Sequence, residues 1–237
     1  MSHPALATLG ELVADRPARA RVFESFGLDY CCGGRRTLAD ACAEKGLAVA
    51  DVVAALERIE PSAAETTSDW RTVSLHVLID HIERTHHAFL RREMPRVAAL
   101  LDKVVTVHGD SHPELHRVSA VYTTFQDEMY AHLSKEEYDL FPMIQRLVDG
   151  TTDRSHRGSI TSAIPVLLKE HDAAGRALAI LRDLTHGFTA PPDGCASYVA
   201  LLEGLADLER DTHEHIHEEN NILFPRAIQA EASRATG

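Results

Sequence analysis

The chain has 237 residues, enough to bury one sizeable core and to carry a small second domain. Its 24 Lys and Arg residues against 36 Asp and Glu residues give a net charge of -12. Because this charge repels phosphate groups and anionic lipid, the composition argues against a nucleic-acid-binding or membrane-surface protein. Histidine is unusually frequent, with 15 residues, many of them in predicted helices, and this enrichment favours metal binding.

The pattern of apolar residues and cysteines indicates a cellular compartment. The N-terminus lacks the apolar run of a secretory signal, and no stretch of 18 apolar residues could span a bilayer. Cys31 and Cys32 are adjacent, whereas Cys42 and Cys195 lie far apart, which is untypical of a secreted disulfide framework. We therefore expect a cytoplasmic protein in which Cys42 and Cys195 are structural.

The first sixty residues have the signature of short capped helices. Thr8 and Thr37 each precede an acidic residue three positions later, which is typical of a helix start. The run from Cys31 to Gly34, Cys-Cys-Gly-Gly, predicts a turn between them. We predict a small helical domain over residues 1–60, a polar linker over 61–69 and a main domain over 70–237.

The main domain shows helical periodicity throughout. Apolar residues recur at steps of three and four over about 73–107, 114–148, 160–184 and 197–230. Pro95 is expected to kink the first helix or to split it in two. Four long helices with short connections predict an antiparallel four-helix bundle, and no alternating pattern predicts a sheet, so the fold class is all-α.

The bundle sequence contains an internal duplication. His132 and Glu136 repeat 83 residues later as His215 and Glu219, and both pairs precede a Leu-Phe-Pro run at the same offset. Residues four apart lie on the same helical face, so each pair can offer one imidazole and one carboxylate to a metal. A single pair would be unremarkable as a solvated pair on a helix, but its duplication argues against that alternative.

Each half of the duplication also supplies an earlier histidine. His87 lies 45 residues before His132, and His171 lies 44 residues before His215. His86 is the alternative to His87, one residue away; the similar repeat spacing favours His87, together with the family resemblance described below.

The complete set contains four imidazoles and two carboxylates: His87, His132, Glu136, His171, His215 and Glu219. This set is too large for one tetrahedral zinc, but it suits two metal ions bridged by carboxylates and an oxo or hydroxo group. The mixture of nitrogen and oxygen favours iron over manganese or zinc. Ferritin-like bundles instead use Glu-x-x-His with additional glutamates, a pattern absent from these helices.

Three further acids are candidates for supporting roles. Glu128 and Asp211 lie one turn before His132 and His215, where a carboxylate could accept the second ring N–H of the histidine. Glu170, beside His171, is placed to face a polar access route. The alternative for all three is an ordinary surface charge.

Two histidines of the fourth helix do not share the ligand face. His213 and His217 lie about 200° around the axis from His215, given about 100° per residue. We expect both side chains to be exposed to solvent.

Over nearly its whole length the sequence resembles the repair-of-iron-centres (RIC) family of bacterial di-iron proteins. The resemblance is carried by residues 29–34, Asp-Tyr-Cys-Cys-Gly-Gly, in the short N-terminal domain. Residues 169–172, Lys-Glu-His-Asp, and 219–225, Glu-Asn-Asn-Ile-Leu-Phe-Pro, carry it in the hemerythrin-like domain. The resemblance implies the same six ligands and two iron ions.

The family also implies a role in restoring iron-sulfur proteins after damage by nitric oxide or oxidative stress, by iron donation. The alternatives are a sensor that binds nitric oxide or oxygen, and an oxidoreductase acting on nitric oxide or peroxide, so enzymatic turnover is left open. The oligomeric state is left open between monomer and homodimer. Cys31 and Cys32 serve either redox or metal transfer, or simply packing, with Gly33 and Gly34 supplying permissive backbone angles.

Overall fold

The computed structural model describes residues 4–59, 69–151 and 159–235. Within these ranges the regular elements are helices, and the β pairing is limited to an isolated bridge between Thr8 and Thr37. The predicted all-α class is therefore confirmed. The predicted linker lies outside the described residues except for Asp69, so the predicted domain bounds stay a prediction.

Short helices make up the N-terminal part of the chain. They are a 3-10 turn at Pro4–Leu6 and the helices α1 (Leu9–Asp15), α2 (Arg19–Ser25), α3 (Leu38–Lys45) and α4 (Val49–Glu57). Both predicted helix starts are confirmed, because the side chains of Thr8 and Thr37 accept hydrogen bonds from backbone N–H groups three residues later. The buried core of these short helices includes Phe23, Leu38 and Val52.

The remaining helices account for the four long helical segments predicted for the main domain. They are α5 (Leu75–Ile82), α6 (Ala88–His108), α7 (Glu114–Lys135), α8 (Phe141–Asp149), α9 (Ile160–Leu184), α10 (Ala196–Glu218) and α11 (Phe224–Ala235). Of the two outcomes predicted for Pro95, a kink or a split, the split is wrong, because α6 continues through this residue. None of the helices in the described ranges is long and apolar enough to cross a membrane.

Three of the four long segments contain a five-residue π turn, at Glu83–His87, Glu136–Leu140 and Glu219–Leu223. In the second and third, the N–H of Phe141 or Phe224 donates to the carbonyl group five residues earlier. The proline that follows, Pro142 or Pro225, has no N–H to donate and its ring crowds the carbonyl four residues back, which disfavours ordinary α-helical bonding there. Such turns are rare and often occur at functional sites.

The chain divides into two compact units, residues 1–79 with 213–237, and residues 80–212. In the first unit, the guanidinium of Arg226 donates to the carbonyl groups of Trp70 and Val73, which ties α11 to the start of the bundle sequence. In the second unit, the buried Tyr122 hydroxyl donates to the Met94 carbonyl at 2.7 Å, which ties α7 to α6. Each unit thus has long-range hydrogen bonds of its own.

Candidate metal centre

Four predicted ligands meet inside the second unit. The Glu136 carboxylate lies 3.5 Å from Nε2 of His87, 3.3 Å from Nε2 of His132 and 3.9 Å from Nε2 of His171. The Nε2 atoms of His132 and His171 are 3.0 Å apart. One carboxylate is therefore approached by three imidazole nitrogens from three different helical segments.

Burial makes this cluster suited to a cation. Glu136 is 0% exposed, and the three imidazoles are 1% to 3% exposed. An ionised carboxylate removed from water costs several kcal/mol unless a charge or a metal compensates it. His132, Glu136 and His171 each offer a ligand atom within 4.8 Å of the others, and imidazole with carboxylate is the donor mixture that iron accepts. The residues present fit a metal ion.

The first unit carries the second His/Glu pair of the duplication. Nε2 of His215 lies 3.1 Å from Oε1 of Glu219, and both side chains are 0% exposed. Like Glu136, Glu219 is the first residue of a π turn. The two halves of the duplication therefore place equivalent residues in equivalent local structure.

The acid beside Nδ1 of His132 is Glu170, at 3.0 Å. This hydrogen bond, together with the Lys135 ammonium that also pairs with the carboxylate, lowers the pKa of Glu170 to about 2. Glu128, predicted for this position, is exposed to solvent. The position beside Nδ1 is taken instead by Glu170, which reaches across from α9 to the ring on α7.

A second acid of this kind was not predicted from the sequence. Glu137 Oε1 lies 2.9 Å from Nδ1 of His87, and its carboxylate also pairs with Arg91. The hydrogen bond from His87 is the main cause that lowers the pKa of Glu137. The sequence does show an acid directly after Glu136. It does not show which of the two adjacent acids faces Nδ1 of His87, because that depends on how the π turn winds.

The neighbouring histidine has a different partner. Nδ1 of His86 lies 3.0 Å from the carboxylate of Asp211, which was predicted to support His215. Nε2 of His87, and not of His86, approaches Glu136. The geometry therefore favours His87 over His86 as the ligand from this segment.

A cavity of about 430 Å³ lies between α7 and α9 in the second unit. Its walls include Phe125, Met129 and Val166, and it reaches His132 and His171. Glu128, Lys135, Lys169 and Glu170 also line it. A largely apolar passage with a few charged groups is thus available to small molecules that approach the cluster.

The cysteine turn packs on the π turn that begins at Glu219. The side-chain amide of Asn221 donates to the Cys31 carbonyl at 3.1 Å, and that of Asn220 donates to it at 3.4 Å. The expected permissive angles at Gly33 and Gly34 are wrong, since neither has a positive φ. These glycines instead allow close approach: a Cβ at Gly34 would lie 2.5 Å from the Tyr30 carbonyl and 2.4 Å from Asn221 Oδ1.

The same packing overturns one expectation about the fourth helix. His217 is 4% exposed, and its ring lies 5.6 Å from that of Tyr30. Burial lowers the pKa of His217 to about 4, so the imidazole is neutral at neutral pH. His213 is half-buried, with its ring 6.3 Å from Tyr30. A solvent face was predicted because the helix was considered without the small domain.

The two remaining cysteines differ in environment. Cys42 is buried, as a structural cysteine should be, and burial raises its pKa. Cys195 is exposed, and its thiol lies 3.2 Å from Nε2 of His108. This hydrogen bond lowers the pKa of Cys195 to about 7. The expectation of a structural role is not supported for Cys195.

Comparison with known proteins places these features in a class. Residues 78–227 match the family described as Hemerythrin HHE cation binding domain. Residues 5–60 match ScdA_N, Domain of Unknown function (DUF542). The protein thus combines a hemerythrin-type cation-binding domain with a short N-terminal domain of the ScdA_N type.

Full-length relatives identify the family within that class. The iron-sulfur cluster repair protein YtfE of Escherichia coli O157:H7 is 35% identical over 223 residues, covering 94% of this chain and 97% of the relative. YtfE of Citrobacter koseri is 37% identical over 224 residues, with the same coverage. YtfE of Musicola paradisiaca is 36% identical over 225 residues, covering 95% of this chain and 97% of the relative. The chain belongs to the family of these iron-sulfur cluster repair proteins, which confirms the predicted resemblance.

Proposed function

We propose that this chain is a di-iron protein that supports the repair of iron-sulfur clusters damaged by nitric oxide or oxidative stress, through iron donation. The observation that carries the proposal is the buried Glu136 carboxylate approached by three imidazoles, a cluster whose chemistry suits iron. The names of the relatives supply the repair role. Damaged iron-sulfur proteins in the cytoplasm are the proposed partners.

The proposed ligands are His87, His132, Glu136, His171, His215 and Glu219. They would hold two iron ions bridged by the two carboxylates and an oxo or hydroxo group. The three distances around Glu136 support a bridging role for that residue, and the duplication extends it to Glu219. The matched cation-binding region, residues 78–227, contains all six positions. When bound, iron would supply a labile ion and one-electron chemistry.

The protein's own contribution is to prepare the imidazoles. A carboxylate at Nδ1 favours the tautomer with its proton on Nδ1, which leaves the Nε2 lone pair directed at the metal position. Glu170 does this for His132, and Glu137 does it for His87. Lys135 and Arg91 in turn hold these two acids, so the orientation of each ring is fixed by two successive contacts.

The proposal is tested with the full chain. Purified protein should contain about two iron atoms per chain and should restore activity to a nitric-oxide-damaged iron-sulfur enzyme. Glu136→Gln and Glu219→Gln should lose iron and repair together, whereas Glu128→Gln should keep both because its side chain is exposed. One tightly bound zinc without iron, or full repair by the iron-free variants, would refute the proposal.

The cavity beside His132 favours a second function, the binding of nitric oxide or oxygen. Small neutral molecules partition into apolar passages, and this one is lined by Phe125, Met129 and Val166. Val166→Phe should narrow the passage and slow nitric oxide binding without changing iron content. Catalytic consumption of nitric oxide would favour an oxidoreductase, and stoichiometric binding without turnover would favour a sensor.

A further inference from the structure

The cysteine turn contains a second group of candidate metal ligands, separate from the histidine cluster. Asp29, Cys31 and Cys32 each offer one ligand atom, and these atoms lie within 4.8 Å of one another. Both cysteines are free thiols. The two sulfur atoms are 3.9 Å apart, and the Cys31 sulfur lies 3.3 Å from Oδ1 of Asp29.

These separations are close to those of ligands on one ion. Tetrahedral zinc with Zn–S near 2.3 Å and Zn–O near 2.1 Å would place the two sulfurs about 3.8 Å apart and each sulfur about 3.6 Å from the oxygen. The sulfur–sulfur separation and the separation between Cys31 and Asp29 therefore each lie within a few tenths of an ångström of these values. Adjacent cysteines close a strained ring if they are oxidised to each other, which disfavours the competing disulfide.

The backbone holds the carboxylate in this position. The N–H groups of Cys31 and Cys32 both donate to Oδ1 of Asp29, at 3.1 Å and 2.9 Å. Gly33 leaves the space that this turn requires, since a Cβ there would lie 2.7 Å from the Asp29 carbonyl. The ligand geometry is thus fixed by the turn itself.

We propose that Asp29, Cys31 and Cys32 form a metal site of their own, for a thiophilic divalent cation such as Zn²⁺ or Fe²⁺. On binding, each S–H bond breaks, its proton goes to solvent and the sulfur bonds the metal, so no electrons are transferred. Asp29 is exposed and Cys32 is partly exposed, which gives the ion access and leaves the fourth position to water. Three protein ligands with one open position are the pattern of catalytic zinc sites, whereas structural zinc sites have four protein ligands.

Electrostatics predict how loading depends on pH. The neighbouring Cys32 thiol and burial together raise the pKa of Cys31 well above its ordinary value, so the Cys31 thiol is protonated when no metal is bound. Metal binding must displace this proton, and affinity falls as the pH is lowered. Proton release on loading is therefore part of the expected behaviour.

Cobalt titration of the reduced full-length chain tests this site. Thiolate ligands give Co²⁺ an intense near-ultraviolet charge-transfer band that histidine and carboxylate ligands do not give, so Co²⁺ in the bundle adds no such band, and the spectrum before titration is subtracted to remove absorption by resident iron. The band should saturate at one Co²⁺ per chain and disappear in Cys31→Ser and in Cys32→Ser. Cys195→Ser, which removes the other accessible thiol, should keep it.

Asp29→Asn keeps the size of the side chain while removing its charge, and it should weaken Co²⁺ binding by roughly tenfold or more. Unchanged affinity in this variant would remove Asp29 from the site. Absence of the band in the unaltered chain, or its persistence in the double Ser variant, would overturn the proposal. Far-ultraviolet circular dichroism verifies the fold of each variant. The inference does not depend on the repair role, because the band reports thiolate ligation alone.

Discussion

Oε2 of Glu170 lies 3.0 Å from Nδ1 of His132, and the other carboxylate oxygen of Glu170 pairs with Lys135. The acid belongs to α9 and the histidine to α7, so the contact crosses between two helices of the bundle. The imidazole ring of His132 is therefore restrained both by its own helix, α7, and by the hydrogen bond to Glu170 on α9. The orientation of Nε2 is consequently set before any metal arrives.

Replacing Glu170 with Gln should lower metal affinity roughly 10- to 100-fold, as is usual when the partner of a ligating histidine is lost. Glu128→Gln is the matched control, because Glu128 lines the same cavity but is not the partner of the ring nitrogen. Competition with a calibrated chelator gives both affinities. An equal loss in the two variants would show that cavity charge, and not the hydrogen bond, is responsible.

The proposed ligands should be more sensitive to substitution than the acids that support them. Glu136→Ala and Glu219→Ala are each expected to lower metal affinity by more than the roughly 10- to 100-fold expected for Glu170→Gln, and so to leave less metal in the purified protein. His213→Ala should retain metal, since its ring contacts Tyr30. Elemental analysis of the purified chains measures this difference, and equal depletion in His213→Ala would contradict the ligand assignment.

The contrast between Glu170 and Glu128 shows how far the sequence can lead. The two His/Glu pairs could be predicted from spacing because a duplicated i, i+4 pattern is a local property of helices. The two earlier histidines were predicted from the similar repeat spacing and, for His87, from the family resemblance. The supporting acids could not be predicted, since Glu170 and His132 are 38 residues apart and meet only through the packing of α9 on α7. Contacts between two helices depend on how each helix is rotated about its own axis, and the periodicity of apolar residues in the sequence does not fix that rotation.

The exposed thiol of Cys195 should be the fastest of the cysteines with resolved pKa shifts to react with iodoacetamide at neutral pH. Its pKa is lowered to about 7 by the hydrogen bond to His108, whereas burial raises that of Cys42. Because the thiolate is the nucleophile, alkylation should rise through a midpoint near pH 7. In His108→Ala the midpoint should move towards the ordinary value of about 8.5, and the rate at pH 7 should fall roughly tenfold.

Mass spectrometry of the modified peptides measures the rate at each cysteine. Cys42→Ser provides the control, because the buried Cys42 thiol should contribute little to the signal. Insensitivity of the Cys195 rate to His108→Ala would rule out activation by this histidine.

Docking of the cysteine turn should depend on Asn221. Its amide donates to the Cys31 carbonyl at 3.1 Å, and Asn221→Ala would leave that carbonyl with the longer hydrogen bond from Asn220, at a cost of about 0.5–1.5 kcal/mol. Hydrogen exchange of residues 29–34 should accelerate accordingly. Gln229→Ala, an exposed change on α11 in the same unit, should leave that exchange unchanged.

Asn220 and Asn221, which donate to the Cys31 carbonyl, mark where the two halves of the duplication differ. Offset by 83 residues, Glu137 corresponds to Asn220, and the exposed Tyr138 corresponds to Asn221. In the first half the acid supports His87, and in the second half the amides hold Cys31. The sequence shows this difference, but the role of the two asparagines becomes clear only from their contacts with the cysteine turn. The burial of His217 was not predicted for the same reason, since its ring packs beside Tyr30.

The π turn Glu219–Leu223 has a consequence for how this protein can change during evolution. A π turn accommodates one residue more than α-helical winding, so deleting one residue there would convert it to ordinary α-helical winding and change the positions of the side chains within the turn. Asn220 and Asn221 lie within this turn, next to Glu219. The deletion would therefore disturb a proposed metal ligand and the hydrogen bonds to the Cys31 carbonyl together. Point substitutions can alter the two features one at a time, but a change of length cannot, and descendants of this chain should therefore vary in composition here long before they vary in length.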